Sequence, residues 1–210
     1  MANAAGPEAP RAELVLASGN AGKVREFQAL LGAGWRVRPQ SEFALPPVEE
    51  TGATFLANAL LKARHASQAT GLPALADDSG LEVDALGGAP GVRSARYAGS
   101  KADDAANNAK LLAALAGVPD AQRTARYRCA LVWLNGPGDP SPLIAEGVWE
   151  GRILSAPRGC GGFGYDPLFL DPETGMAAAE LDASAKNARS HRGQALERLR
   201  ALLGSFAGGR

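Results

Sequence analysis

Two adjacent carboxylates, Asp77 and Asp78, are the side chains of this sequence best suited to hold a metal ion. They follow the short apolar stretch 74–76, so they are predicted to lie at the end of a strand. Ligands of α/β proteins commonly bind at strand ends, and carboxylate oxygens suit Mg²⁺. Because successive side chains of an extended chain point to opposite sides, the two aspartates are predicted to have different roles. The alternative is a turn in which Asp and Ser side chains form local hydrogen bonds.

A second candidate is the turn Ser18-Gly-Asn-Ala-Gly-Lys23, between a predicted strand and a predicted helix. Its glycines let the backbone approach a ligand closely, and free N–H groups at the start of a helix favour an anion such as a phosphate chain. The segment is not a Walker A motif, since Ala17 stands in place of the first glycine and Val24 in place of the Ser or Thr. The alternative is a plain strand-to-helix turn with an exposed lysine.

The third candidate is the glycine-rich segment Gly159-Cys-Gly-Gly-Phe-Gly-Tyr-Asp166. It contains the pattern G-x-G-x-x-G, but a dinucleotide site is not predicted because Pro167 stands where the helix of that motif should begin. A glycine-rich loop with aromatic residues suits a nucleobase, which could stack on Phe163 or Tyr165. The alternative is a tight loop that packs its aromatic side chains into the core.

The fourth candidate is the basic segment 186–192, in which Lys186, His191 and Arg192 lie next to the last predicted helix. Arginine offers a rigid fork of donors to a carbonyl or phosphate oxygen. The alternative is a solvated helix start. Basic residues at that end oppose the helix dipole, and this local conflict favours a functional role.

The elements that must position these residues alternate between strand and helix in the first half of the chain. Strands are predicted over 13–18, 35–38, 74–76 and 81–86, and helices over 24–31, 51–69 and 103–116. A hairpin follows over 127–134 and 143–153, then a short strand over 167–170 and a final helix capped by Ser190. This order predicts an α/β fold with a mixed sheet, in one domain over residues 13–206, after a disordered Ala- and Pro-rich extension over residues 1–12.

The composition argues against several classes of protein. Lys plus Arg and Asp plus Glu each number 22, and a zero net charge is not typical of a nucleic-acid binder. No apolar run is long enough to span a membrane. The two cysteines, Cys129 and Cys160, belong to no Cys/His cluster, which argues against a zinc site and favours a reducing, cytoplasmic setting.

With these segments taken together, the chain resembles the inosine/xanthosine triphosphate pyrophosphatase family, in particular its bacterial members. The resemblance extends from Glu13 to the final helix. Two departures are Ser18, where many members have Thr, and Arg93, where Tyr is frequent. The segments that carry the resemblance are SGNAGK (18–23), EETGATFLANALLKA (49–63), ADDSGLEVDALGGAPGVRSARYAG (76–99), GGFGYDPLF (161–169) and SHRGQAL (190–196).

The resemblance implies an elongated mixed sheet whose flanking helices form two lobes around a nucleotide cleft, and a homodimer. It implies Mg²⁺-dependent hydrolysis of ITP, dITP and XTP to the monophosphate and pyrophosphate, which cleanses the nucleotide pool. Asp78 is implied as the catalytic proton acceptor and, with Glu50, as a metal contact. The implied substrate contacts are Ser18, Gly19, Asn20, Ala21, Gly22, Lys23, Ser79, Phe163, Gly164, Tyr165, Asp166, Lys186, His191 and Arg192.

Two other functions stay open from the sequence. A Maf-like pyrophosphatase of pyrimidine or modified nucleotides shares an opening of the L-x-L-A-S type, although the SHR and GGFGYDP segments argue against it. The second open function is a non-catalytic nucleotide-binding module, and the presence of Asp78, Glu50 and Lys23 argues against it.

Base selectivity would depend on a buried hydrogen-bond donor opposite the C6 carbonyl of hypoxanthine, which adenine would leave unpaired. Arg192, His191 and loop N–H groups are the candidate donors.

Overall fold

The computed structural model describes residues 12–31 and 34–207, and a seven-stranded open sheet lies at its centre. The spatial order of the strands is β2-β1-β3-β4-β5-β6-β7. β1 runs parallel to β2 and β3, and the other neighbours are antiparallel. The predicted mixed sheet is therefore confirmed. The strands are β1 (Ala12–Leu16), β2 (Trp35–Pro39), β3 (Ala74–Val83), β4 (Thr124–Leu134), β5 (Leu143–Ile153), β6 (Phe169–Asp171) and β7 (Met176–Ala177).

Helices cover both faces of this sheet. They are α1 (Ala21–Leu31), α2 (Phe55–Thr70), α3 (Asp104–Ala114), α4 (Ala183–Arg189) and α5 (His191–Ala207). Leu14 and Leu16 of β1 pack with α1 and α5 on one face, whereas Val15 packs with α2 on the other. This alternation is expected of a strand buried on both faces. A further apolar cluster joins α3 to β3, β4 and β5.

Small residues bring α2 close to the sheet. Ala59, Ala63 and Ala66 are fully buried and recur at helical spacing on the face that meets β1, β3 and β4. The helix was predicted from residue 51, but it begins later because Thr54 caps it and accepts a hydrogen bond from the backbone N–H of Ala57 at 3.1 Å. The buried face of α2 therefore begins at Phe55.

The segment that contains both aspartates is one continuous strand, so the predicted strand end at Asp77 and Asp78 is wrong. β3 pairs with β4 along its whole length, from Ala74 opposite Leu134 to Val83 opposite Ala125. Asp, Ser and Gly have low strand propensity, but pairing with a long neighbour overrides that local preference. β1 pairs only with the first two residues of β3, so both aspartates lie beyond the end of β1.

Other boundaries differ by a few residues. The strand predicted over 81–86 ends at Val83 and continues as a 3₁₀ turn, and the one predicted over 167–170 is β6. Helix α4 was not predicted. Of the predicted disordered extension, all but Ala12 lies outside the described residues, and Ala12 begins β1. The division into two lobes stays a prediction. None of the helices in residues 12–31 and 34–207 has the length and apolar character to cross a membrane.

Candidate active site

Asp77 lies at the centre of a buried cluster on the α1 and α5 face of the sheet. Its Oδ2 is 2.8 Å from Lys23 Nζ and accepts a hydrogen bond from Arg192 Nε at 2.9 Å. Its Oδ1 accepts from the Ser79 hydroxyl at 2.6 Å and from the Cys129 thiol at 3.4 Å. Burial alone would raise the pKa of Asp77, but the two cations outweigh burial and hold it well below 3.8. The charged carboxylate therefore joins α1 to α5.

Asp78 belongs to a different cluster, on the α2 face. Its Oδ1 is 2.6 Å from Lys62 Nζ, and its Oδ2 accepts from Asn58 Nδ2 at 3.2 Å. Glu50 approaches the same lysine through Oε1 at 3.1 Å and binds Arg96 Nη1 through Oε2 at 2.7 Å. Glu50 and Asp78, named here the carboxylate pair, thus share one ammonium group.

The members of the carboxylate pair differ in their affinity for a proton. Burial raises the pKa of Asp78 and outweighs the opposing effect of Lys62, and the charges of Glu50 and Asp77 act in the same direction as burial. For Glu50 burial also acts to raise the pKa, but Lys62 and Arg96 outweigh it and the pKa is lowered. Asp78 is therefore the better proton acceptor of the two.

The two aspartates face opposite sides of the sheet, as strand alternation predicts. They nevertheless belong to one connected arrangement, because Lys62 Nζ also donates a hydrogen bond to the backbone oxygen of Asp77 at 2.8 Å. The side chain of Asp77 contacts the cations of α1 and α5, and its peptide group contacts the lysine of α2. Because Asp77 and Asp78 are neighbours in the sequence, the two ionic clusters that they form are neighbours in the structure.

A cavity of about 170 Å³ opens beside the Asp77 cluster. The predicted contacts that line it are Asn20, Lys23, Ser79, Phe163, Gly164, Tyr165, Asp166, Lys186, His191 and Arg192. Six other lining residues were not predicted from the sequence, namely Gly80, Ser94, Ala95, Asp104, Asn107 and Tyr127. The predicted contacts Ser18, Gly19 and Gly22 are not among the described residues that line it. The four candidate segments of the sequence therefore meet around one space, together with the six other lining residues.

The loop before α1 is held by its own side chains. Asn20 Oδ1 accepts from the backbone N–H groups of Gly22 at 2.8 Å and Lys23 at 3.2 Å, and Ser18 Oγ accepts from the N–H of Asn20 at 3.1 Å. The N–H groups at this helix start were predicted to be free for an anion, but those of Gly22 and Lys23 are bound by the amide oxygen of Asn20, which caps the helix. A phosphate that contacts these two N–H groups would have to replace the amide oxygen.

Asp166 organises the glycine-rich loop. Its Oδ2 accepts from the backbone N–H of Phe163 at 2.8 Å and pairs with Lys186 Nζ at 2.5 Å, and Tyr127 donates to Oδ1 at 3.3 Å. Gly162 has a φ of +72°, and a Cβ there would overlap the Asp166 carboxylate. A glycine is therefore required at this position, and the loop is tied to both the sheet and α4.

Of the two aromatic candidates for base stacking, the structure favours Phe163. Tyr165 is buried, and its hydroxyl donates to the backbone oxygen of Ser94 at 2.8 Å. Phe163 lies close to two cations, with Lys186 Nζ 5.0 Å and Arg192 Cζ 5.1 Å from its ring centroid. The ring thus lies in the part of the cavity that has cationic donors.

His191 and Arg192 enter the cavity from the first turn of α5. That turn lies directly on β5, where a Cβ at Gly147 would overlap the carbonyl oxygen of His191. The imidazole stacks on Tyr127 at 4.7 Å, and its buried Nδ1 has no hydrogen-bond partner within the described part of the chain. Burial and the charge of Arg192 hold the pKa of His191 well below 6.5, so the ring is neutral. Two of the Arg192 donors are already used, by Asp77 and Ser79.

Helix α3 fastens the glycine-rich loop from the other side. Asp104 Oδ2 accepts from the backbone N–H of Gly164 at 2.7 Å, and Asn108 Nδ2 donates to the carbonyl oxygen of Gly164 at 2.8 Å. Asn58 and Lys62, like Asp104 and Asn108, are spaced four residues apart in a helix. This spacing places two polar side chains on one face, and it is the signal that sequence analysis could have used.

The carboxylate pair has the oxygen donors that Mg²⁺ prefers. Within residues 12–31 and 34–207 no group of three or more His, Cys, Asp or Glu side chains is placed to hold a metal ion. Mg²⁺ needs only one or two protein carboxylates when phosphates and waters complete its coordination. Glu50 and Asp78 therefore fit a cation that is bound together with a polyphosphate, and they do not form a complete cage.

The fold and the site define an α/β protein with a cationic, partly aromatic cleft for a phosphorylated ligand. The chain belongs to the Ham1 family, which matches residues 14–202. A dITP/XTP pyrophosphatase of Thioalkalivibrio sulfidiphilus is 60% identical over 185 residues, 88% of this chain and 94% of the relative. The dITP/XTP pyrophosphatase of Xanthomonas oryzae is 61% identical over 187 residues, 89% of this chain and 94% of the relative.

Solved structures agree with this assignment. A HAM1 protein from Coxiella burnetii superposes with a TM-score of 0.86 at 53% identity, over 92% of this chain and 99% of the other. The Staphylococcus aureus Ham1 protein gives a TM-score of 0.83 at 39% identity, again over 92% and 99%. The similarity therefore includes the whole sheet and not the site alone.

Proposed function

We propose that this chain is a nucleoside triphosphate pyrophosphatase that hydrolyses ITP, dITP and XTP to the monophosphate and pyrophosphate, with Mg²⁺. The observation that carries the proposal is the junction at Asp77 and Asp78. It places a carboxylate pair on one side and, on the other, a cavity with cations and an aromatic ring. The names of the 60% identical relatives support the same substrates. A homodimer and a cytoplasmic location stay predictions from the resemblance.

Asp78 is the proposed proton acceptor. The oxygen of a water molecule attacks the α-phosphorus, the bond from that phosphorus to the bridging oxygen breaks, and pyrophosphate leaves. The water proton passes to Asp78, whose raised pKa suits a general base. Lys62 and Lys23 face the phosphate side and balance its negative charge. Mg²⁺ bound with the nucleotide would contact Glu50 and Asp78 and offset the charge of the triphosphate.

The base is proposed to stack on Phe163. Hypoxanthine and xanthine carry a C6 carbonyl where adenine carries an amine, so a donor placed there favours the first two. The neutral His191 can present a ring N–H. The second candidate donor is Nη1 of Arg192, which lies 3.6 Å from Glu26 Oε2 and is therefore beyond hydrogen-bond distance of it. Desolvated donors of this kind can discriminate by about 10⁴-fold or more.

The test is pyrophosphate release from five purine nucleotides, ITP, XTP, dITP, ATP and GTP, and from the pyrimidine nucleotides UTP and CTP, each with and without Mg²⁺. Fast, metal-dependent release from the first three and slow release from ATP and GTP is the expected result. Equal rates for all five would retain the chemistry and overturn the base selectivity. Release from pyrimidine nucleotides alone would favour a Maf-like activity, and no release from any nucleotide would favour a binding module.

A further inference from the structure

The ammonium group of Lys62 is bound as a small cation would be. Its Nζ lies 2.6 Å from Asp78 Oδ1, 3.1 Å from Glu50 Oε1 and 2.8 Å from the backbone oxygen of Asp77. An ammonium group has three N–H donors, and three oxygens therefore satisfy all of them. Only 13% of the side chain is exposed. Both members of the carboxylate pair thus already have a cationic partner.

Lysine bound in this way is held firmly. Its ammonium group lies within ion-pair distance of two carboxylates at once, at 2.6 Å from Asp78 Oδ1 and 3.1 Å from Glu50 Oε1. Glu50 has a second cationic partner in Arg96. A dication that contacts the same oxygens meets repulsion from the ammonium unless the ammonium moves to another anion.

We propose that Lys62 is an internal counter-cation, which occupies the oxygens of Glu50 and Asp78 in the nucleotide-free protein and makes cation binding depend on the triphosphate. This inference rests on the proposed function, because the anion that draws Lys62 away is the phosphate chain of the substrate. The nucleotide-free protein should then bind a divalent cation weakly. Removal of the ammonium should allow the carboxylate pair to bind the cation without nucleotide.

The test measures binding of Mn²⁺, a paramagnetic probe, by the loss of the free-ion signal in electron paramagnetic resonance. The variants are Lys62→Met and Lys62→Gln, and Lys101→Met is the matched control. Lys101 is exposed, and its substitution changes the net charge by the same amount. A charge within 4–6 Å changes the proton affinity of a carboxylate by roughly 10- to 1,000-fold. We therefore expect both Lys62 variants to bind Mn²⁺ at least about tenfold more tightly than the wild type.

Lys101→Met should bind Mn²⁺ as the wild type does. After subtraction of the Mn²⁺ bound by the analogue alone, a non-hydrolysable ITP analogue should tighten Mn²⁺ binding by the wild type by a larger factor than it does for the Lys62 variants. If the methionine variant does not fold, as judged by circular dichroism, the glutamine variant supplies the comparison, since its amide can still donate to one carboxylate.

Mn²⁺ affinity that is unchanged or weaker in the Lys62 variants would overturn the inference and make Lys62 a structural ion pair. That result would leave the proposed hydrolysis intact if the wild type still releases pyrophosphate from ITP. Absence of Mn²⁺ binding by every form, with or without the analogue, would overturn the metal contacts of the proposed function as well. The two failures are therefore distinguishable.

Discussion

Replacing Asp77 by asparagine and replacing Asp78 by asparagine should have opposite effects on the stability of the folded protein. In Asp77→Asn the half-buried Lys23 and the buried Arg192 lose the carboxylate that they share. In Asp78→Asn a carboxylate is removed whose charged form is already disfavoured by burial. The first variant is therefore predicted to be unstable, and the second to be stable and inactive.

The magnitude follows from the burial of Asp77, which is 1% exposed. Removing one partner of a buried ion pair costs about 3–5 kcal/mol, because the other charge is left uncompensated. A domain is stable by about 5–15 kcal/mol in total. For a chain of this size about 1 kcal/mol corresponds to roughly 2–4 °C, so the melting temperature of Asp77→Asn should fall by about 6–20 °C.

The pH dependence has a definite sign. The pKa of Asp77 in the folded protein lies well below the 3.8 of a free side chain. Its contribution to stability is therefore fully present above about 3.8 and is lost as the pH falls through the folded-state value. The Asp77→Asn variant should lack this part of the acid-induced loss. Asp78 has a raised pKa, so stability falls as the pH rises from about 3.8 to the folded-state value, and the full cost of its charged form is present above that value.

The assay is urea unfolding followed by circular dichroism at pH 7 and at pH 3, with EDTA present so that no metal contributes. The free energy of unfolding of Asp78→Asn should lie within about 1 kcal/mol of the wild-type value, because an ordinary substitution costs about that much. Its turnover of ITP should fall by about 10²- to 10⁴-fold, as expected on loss of a general base. Equal destabilisation of the two variants, or an Asp77→Asn variant as stable as the wild type, would refute the assignment.

Three further predictions concern the cavity and the metal. Arg192→Lys keeps a cation beside Asp77 but loses the guanidinium fork, so kcat/KM for ITP relative to ATP should fall at least about tenfold; an unchanged ratio would exclude a role in base reading. Gly162→Ala should raise the KM for ITP more than Gly164→Ala does. Both glycines have a positive φ, but an added Cβ overlaps Asp166 at Gly162 and meets no atom within 4 Å at Gly164. Equal increases in KM would mean that backbone strain alone causes the effect. EDTA should abolish pyrophosphate release from ITP and added Mg²⁺ should restore it, and activity that persists in EDTA would contradict metal dependence.

The parts of the fold that were predicted correctly have strong local patterns. The hairpin of β4 and β5 and the apolar face of α2 follow directly from residue spacing. β3 was divided in two because Asp-Asp-Ser-Gly resembles a turn, whereas its partner β4 lies some fifty residues further along the chain. A pairing between distant segments is not visible in a local window, and here it determines the strand.

The site was predicted as a set of residues but not as a set of contacts. Ten of the residues that line the cavity came from motifs, and their types indicated phosphate and base binding. That Lys23 and Arg192 share Asp77 depends on how α1 and α5 pack on one sheet face, which no spacing in the sequence specifies. Lys62 was missed because a lysine in an Ala- and Leu-rich helix is typical of an exposed position, yet it is bound between two carboxylates.

The continuity of β3 is what connects the two halves of the proposed reaction. Alternation along one strand gives Asp77 and Asp78 opposite faces, and the helices on those faces give them opposite electrostatic surroundings. One aspartate is kept charged and orders the cations of the nucleotide cavity, and the other gains affinity for a proton. A turn at this place would separate the two carboxylates or direct them to one side. A strand fixes them one residue apart with different partners, and under the proposed function a nucleotide held by the Asp77 cluster would extend its phosphate chain towards Asp78.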